Sequence, residues 1–142
     1  MKRLFATPAD PTLALMRIVL AVLFFPHGAQ KALGWYGGAG FHGTMHMLTA
    51  GMGFPAFFAV CAILAEFVGS ILMFLGFLAR IAAFGQVVVM LVAIFKVHLH
   101  NGLLGTAHGA GYSFPLALLA LAFLILIKGA GAVSIDRLLA KK

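Results

Sequence analysis

Charge is what this sequence has least of. Only 9% of its 142 residues are charged, and just three are acidic: Asp10, Glu66 and Asp136. Soluble domains carry about 25% charged residues, and a water-soluble surface cannot be assembled from so few. Cysteine is nearly absent too. Cys61 stands alone inside an apolar run, which excludes an intramolecular disulfide and a CxxC redox pair. Any dithiol chemistry would need a partner protein. The net charge of +7 does not point to nucleic acid, because no basic stretch exceeds two residues and the Lys and Arg residues sit mainly at the ends of apolar runs. Topology and anionic lipid headgroups account for them better, so nucleic-acid binding is not expected.

Apolar residues are abundant, at 63%. A helical span needs roughly 20 of them, so four spans would take up about 80 positions and leave only loops and short ends. The expected fold is all-α: one transmembrane domain over residues 1–142, an integral membrane four-helix bundle with a short amphipathic segment between spans one and two. The spans are read as about 12–33, 55–78, 81–99 and 113–131. The first is the weakest, being interrupted by Arg17. That interruption, and the lack of a small-x-small cleavage site, make it a retained helix rather than a signal peptide. Residues 34–54 are Gly-rich and amphipathic. Pro55 suits a helix start. Gly76 and Arg80 bracket a very short connection, which predicts a tight hairpin of spans two and three. Residues 100–112 are turn-rich, and the tail SIDRLLAKK reads as a short basic amphipathic end.

Lys2, Arg3, Arg80, Lys128, Arg137, Lys141 and Lys142 collect on one side, with Arg17 nearest to it, whereas Lys31 and Lys96 collect on the other. The positive-inside rule makes the first side, with both termini, cytoplasmic. All six histidines (His27, His42, His46, His98, His100 and His108) then lie at or beyond the outer ends of the spans, along with Trp35, Tyr36 and Tyr112. An aromatic belt accounts for the latter three but not for the histidines.

Three polar residues lie at membrane depth: Arg17, Glu66 and Gln86. Such residues cost roughly 2.5–3.5 kcal/mol when charged, and they usually face the bundle interior. Glu66 and Arg17 are offset by roughly 10 Å in depth at 1.5 Å per residue, a gap that a long side chain and water can close. One reading is a structural Arg17–Glu66 ion pair. A second makes Glu66 part of a proton path or a quinone-headgroup site. A third lets Arg17 snorkel to the headgroups, leaving Glu66 protonated and hydrogen-bonded. Gln86 reads as inter-helix glue.

His42 and His46, four apart, have helical metal-ligand spacing but lack the glutamate of HExxH and need a third ligand. His27, His98 and His108 are the available additions for copper or zinc, with Met45, Met47 and Met52 as soft Cu(I) ligands. A bis-His haem would have to use His27 and His98. The plain alternative is that imidazole suits the headgroup zone.

The stretches LALMRIVLAVLFFPHGAQKALGWYGG and AVCAILAEFVGSILMFLGFLARIAA, then HLHNGLL, GYSFPLALLALAF and SIDRLL, resemble the DoxX family in order, over residues 12–139. That resemblance implies a four-span bundle in the bacterial inner membrane. The family takes its name from a subunit linked to thiosulfate:quinone oxidoreduction, and other members are associated with redox or oxidative-stress complexes. By position it points to Arg17, His27, Gly28, Lys31, Glu66, Gly69, Gly76, Arg80 and Tyr112. One departure is Ser113, where the family pattern often has an acidic residue.

The functional expectation is a redox-associated subunit that stabilises a quinone. Its headgroup residues would be His27, Gln30 and Lys31, supported by His98 and Tyr112, with Glu66 below. A partner oxidoreductase would supply what the chain lacks; whether the chain is itself catalytic is left open. The alternatives are a non-catalytic scaffold or assembly factor, and a small-solute or metal transporter, whose small size would demand a homo-oligomer.

Overall fold

A computed structural model describes residues 2–107 and 109–140. Helix α1 (Lys2–Phe5) leads into α2 (Pro11–Leu33). Asp10 caps α2, its carboxylate accepting from Thr12 N at 2.8 Å, and Pro11 occupies the first turn, where a missing N–H costs nothing. Pro26 is accommodated inside the same helix, which ends at Gly34 in the left-handed conformation. A 3₁₀ turn over Trp35–Gly37 precedes α3 (Gly40–His46), which runs on as a π turn over Met47–Gly51. The segment expected to be amphipathic is therefore a short helix that packs on α2 and α4 without crossing.

Helix α4 (Ala56–Leu75) begins after Pro55 and ends at left-handed Gly76. Helix α5 (Ala79–Val92) starts three residues later and continues through a π turn (Ala93–His98) and a 3₁₀ turn (Leu99–Asn101). The connection from α4 to α5 is as tight as the spacing of Gly76 and Arg80 predicts. Helix α6 (Ser113–Lys128) and helix α7 (Ile135–Ala140) complete the chain.

The purely helical expectation needs one correction. Strands β1 (Gly105–Thr106) and β2 (Gly109–Ala110) form a small antiparallel hairpin between α5 and α6. Glycines make it feasible: a Cβ on Gly111 would collide with the Leu103 and Gly102 carbonyls.

Three helical stretches are long and apolar enough to cross a membrane: Pro11–Leu33, Ala56–Leu75 and Ala79–Asn101. The fourth expected span is shorter than read. Helix α6 has 16 residues, or about 24 Å against a hydrocarbon core of about 30 Å. It stops at Gly129, whose φ of 95° ends the helix. Residues 129–133 instead fold back on the start of the chain, through Gly131 N to Thr7 Oγ1 at 2.7 Å and Ala132 N to Asp10 O at 2.9 Å.

Packing closes a ring: α2 lies on α4, α4 on α5, α5 on α6, and α6 returns to α2. The core is a column of small and medium side chains, including Leu20, Phe24, Met73, Ala83, Leu118 and Ala122. Large apolar residues such as Phe57, Phe84, Phe95 and Phe123 face outward, as lipid-facing surfaces do. Helices α2 and α4 approach closely at Gly28, where an added Cβ would sit 2.5 Å from Phe67 Cα. This contact sets the register of α2 on α4.

Candidate functional site

The buried polar residues form two clusters, one at each level of the ring. The first gathers where α2 and α5 begin and α4 and α6 end. Arg17 is only 2% exposed. Its guanidinium donates to the Met73 and Phe74 carbonyls at 2.5 and 2.7 Å, and to Ala130 and Val133 O at 3.0 Å each. These include last-turn carbonyls of α4, which carry the negative end of the helix dipole; Met73 O also accepts from Gly76 N at 3.1 Å. A planar five-donor cation suits this role better than an ammonium would. Arg80 does the same for α6, donating to the Leu126 and Ile127 carbonyls at 2.6 Å each and to Ala6 O at 3.1 Å. Asp136, on α7, treats the opposite kind of end. Its carboxylate accepts from Leu78 N and Ala79 N, at 2.7 and 2.9 Å, at the start of α5. Burial pushes the Asp136 carboxyl above its ordinary value, outweighing those two amides and the charges of Arg17 and Arg80.

The second cluster lies between α2, α4 and α5. Lys31 Nζ forms an ion pair with Glu66 Oε1. Glu66 is 2% exposed and Lys31 35%, so the pair joins the bundle interior to the surface on the α3 side. Glu66 Oε2 and both amide atoms of Gln86 are buried with no hydrogen-bond partner among the described residues. Gln86 lies across from Gly69, where an added Cβ would be 3.6 Å from its Nε2. A groove of about 470 Å³ lies between α2 and α4, and Lys31, Glu66 and Gln86 are not among its lining residues. Val22, Phe25, Ile71 and Phe74 line it, with Ser70 and Tyr36 as its polar groups.

The expected Arg17–Glu66 pair is not formed. Arg17 sits level with the end of α4, Glu66 is paired with Lys31, and Arg17 is buried rather than snorkelling. The cause is the register at Gly28, which packs against the Glu66–Phe67 backbone and so places Glu66 about three turns of α2 from Arg17 and within reach of Lys31. Gln86 is interior as read, but its amide has no hydrogen-bond partner among the described residues.

The remaining candidates are dispersed. His27 is exposed, its ring 6.1 Å from that of Phe114. Gln30 reaches the Tyr36 carbonyl at 3.4 Å. His98 Nδ1 is 2.9 Å from the Ala110 carbonyl; a carbonyl only accepts, so this nitrogen carries the proton. Tyr112 is half-buried at the start of α6, its N–H on Gly102 O at 3.1 Å. His42 and His46 are exposed on α3, and His108 lies outside the described residues. Among the described residues no three His, Cys, Asp or Glu side chains come together as a metal site.

Sequence reasoning missed the roles of Asp136 and Arg80. The signal for Asp136 was available: it is one of three acidic residues and the only one in a basic tail. Its partners are backbone amides of a distant helix, which no sequence pattern specifies.

Helices of this length and apolarity, ringed around buried charges, define a multi-pass membrane protein. Residues 12–99 match the DoxX family. The chain is 36% identical to an uncharacterized protein of Haemophilus influenzae, covering 92% of each chain. It is 32% identical to the Escherichia coli inner membrane protein YqjF, covering 94% of this chain and 95% of that one. A Bacillus subtilis protein named "Putative oxidoreductase CatD" is 30% identical over 66% of this chain and 64% of its own. No solved structure is a significant match. The chain belongs to the DoxX family.

Proposed function

We propose that the protein is a redox-associated subunit of the bacterial inner membrane that holds a quinone-class carrier at the seam of α2, α4 and α5 and works with a partner oxidoreductase. The observation that carries this reading is the half-satisfied polar cluster. Glu66 keeps one carboxylate oxygen free, and Gln86 keeps a free amide donor and acceptor, inside an apolar bundle. Each unmade buried hydrogen bond costs about 1–3 kcal/mol, so a ligand that makes them gains affinity. A quinone headgroup matches this chemistry: its oxygens accept from Gln86 Nε2 and, when reduced, donate to Glu66 Oε2. The α2–α4 groove offers an apolar berth for an isoprenoid tail. Such a carrier would supply two-electron, two-proton redox chemistry in the membrane. The chain's own part is to bind the headgroup, keep it from water and hold a proton at Glu66. With a lone cysteine, Cys61, the chain forms no dithiol of its own, so the electrons are assigned to a partner. The names of YqjF and CatD agree with the inner membrane and with redox association.

Four spans, with both termini cytoplasmic, belong to the same proposal. In this reading residues 129–133 complete the crossing that α6 leaves short, and Arg17, Arg80, Lys128 and Arg137 mark the inner side.

The test is purification in mild detergent, with mass spectrometry for bound quinone and for partners, followed by titration with a quinone analogue. Binding should fall at least tenfold in Glu66→Gln and Gln86→Leu and stay unchanged in His27→Ala. Wild-type protein that neither retains quinone nor binds the analogue would end this reading. A scaffold role is the second reading, favoured by the Arg17–Arg80–Asp136 cluster, which caps helices and touches no cavity near Glu66. Partner capture without quinone binding would select it.

A further inference from the structure

We propose that Glu66 is a proton-exchange site open to one side of the membrane: its free Oε2 exchanges protons with water on the α3 side and is insulated from the Arg17 side. The inference does not rest on quinone binding.

Access on the α3 side follows from Lys31. Lys31 is 35% exposed and its Nζ pairs directly with the buried carboxylate; an ammonium is not left in hydrocarbon, so the exposed part of Lys31 is assigned to water on the α3 side, and protons reach Glu66 past it. Beyond Glu66 the next polar side chains are Ser70 and Gln86, both buried. It then stops. Leu20, Phe24, Met73, Ala83 and Ala122 are all at most 1% exposed and fill the next layer. Behind them stands Arg17, buried and held by four carbonyls. An apolar layer cannot carry a proton chain, and a fixed guanidinium repels protons, as arginines in selective pores do.

The groups facing Glu66 are few. From α2 only Lys31 reaches it. Helix α5 offers Gln86, which does not titrate; its Arg80 lies at the far end and its Lys96 is exposed. Helix α3 exposes His42 and His46 and buries Thr44. Helix α6 carries Lys128 at the Arg17 end. Protonation is therefore a single exchange. A proton leaves water on the α3 side and binds Oε2, the Lys31–Glu66 pair loses its negative partner, and the ammonium remains on the α3 side. Reversal returns the proton to the same side.

Glu66 is the chain's single glutamate, so the site can be read without mutation. The protein is made by cell-free synthesis with carboxyl-¹³C glutamate and reconstituted, quinone-free, into liposomes sorted for one orientation by tag accessibility. The isotope-shifted carboxylic acid band is then followed by infrared spectroscopy as the external pH is stepped. With the α3 side outward, the band should respond at once. With the Arg17 side outward, it should respond only after a protonophore is added. The same band must be absent in Glu66→Gln if that variant inserts. A response from the Arg17 side, from both sides, or from neither would overturn the proposal. Because no quinone is present, these outcomes are independent of the analogue titration.

Discussion

Arg17, Glu66 and Asp136 are all almost completely buried, yet each is stabilised by a different partner. Arg17 neutralises the carbonyl ends of a helix and of the loop after α6, Asp136 the amide end of another helix, and Glu66 a single ammonium. Of the three, only Glu66 has a buried oxygen without a partner among the described residues, which is why the proposed function is placed on it. The raised Asp136 carboxyl has a defined consequence for stability. A group whose folded-state pKa lies above its unfolded value contributes stability below the unfolded value, and that contribution is lost as pH rises through the folded one. Thermal unfolding of detergent-solubilised protein, followed by circular dichroism, should therefore lose stability as pH climbs past the usual carboxylate range. Asp136→Asn keeps one acceptor for the start of α5 and should flatten this slope. An unchanged slope would show that another group sets it.

At the scale of elements, the register of α2 on α4 decides which charges meet. It is set at Gly28, which admits the Phe67 backbone. The connection from Leu33 to Ala56 is long and itself packs on both helices, so no short loop fixes the pairing in a way the sequence shows. This explains why hydrophobic periodicity located both helices to within a few residues yet paired Glu66 with the wrong cation: the end of α2 is not level with the start of α4. Inserting a side chain at Gly28 should push the helices apart. Gly28→Leu is expected to cost more than the 1–3 kcal/mol typical of overpacking, because its obstacle is backbone. It should also break the Lys31–Glu66 pair. Comparison of its unfolding with that of Gly28→Ala and of Lys31→Met checks both effects. If Gly28→Leu unfolds like wild type, this contact does not govern the register.

At the scale of the whole molecule, the ring of four helices brings Arg17, Arg80, Lys128 and Arg137 to one end and Lys31, His42, His46 and His98 to the other. The number of crossings decides the rest. Four crossings put both termini on the same side, whereas three, with α6 lying outside the bilayer, would put them on opposite sides. Tags on the two termini of intact cells should be equally protected from an impermeant protease, and single cysteines placed at Thr49 and Leu104 in a Cys61→Ala background should be labelled from outside. Protection of one terminus and cleavage of the other would reduce the spans to three.

Composition and apolar run length by themselves determined the membrane setting, the largely helical class and the approximate helix positions. These properties come from how each segment partitions between water and hydrocarbon, a local quantity summed along the chain. The partner of each buried charge, the short hairpin at 105–110, the early end of α6 and the capping of α5 by Asp136 were decided only by the tertiary structure. They depend on the relative sliding of helices joined by long connections and on backbone groups whose availability appears only once helix ends are placed side by side.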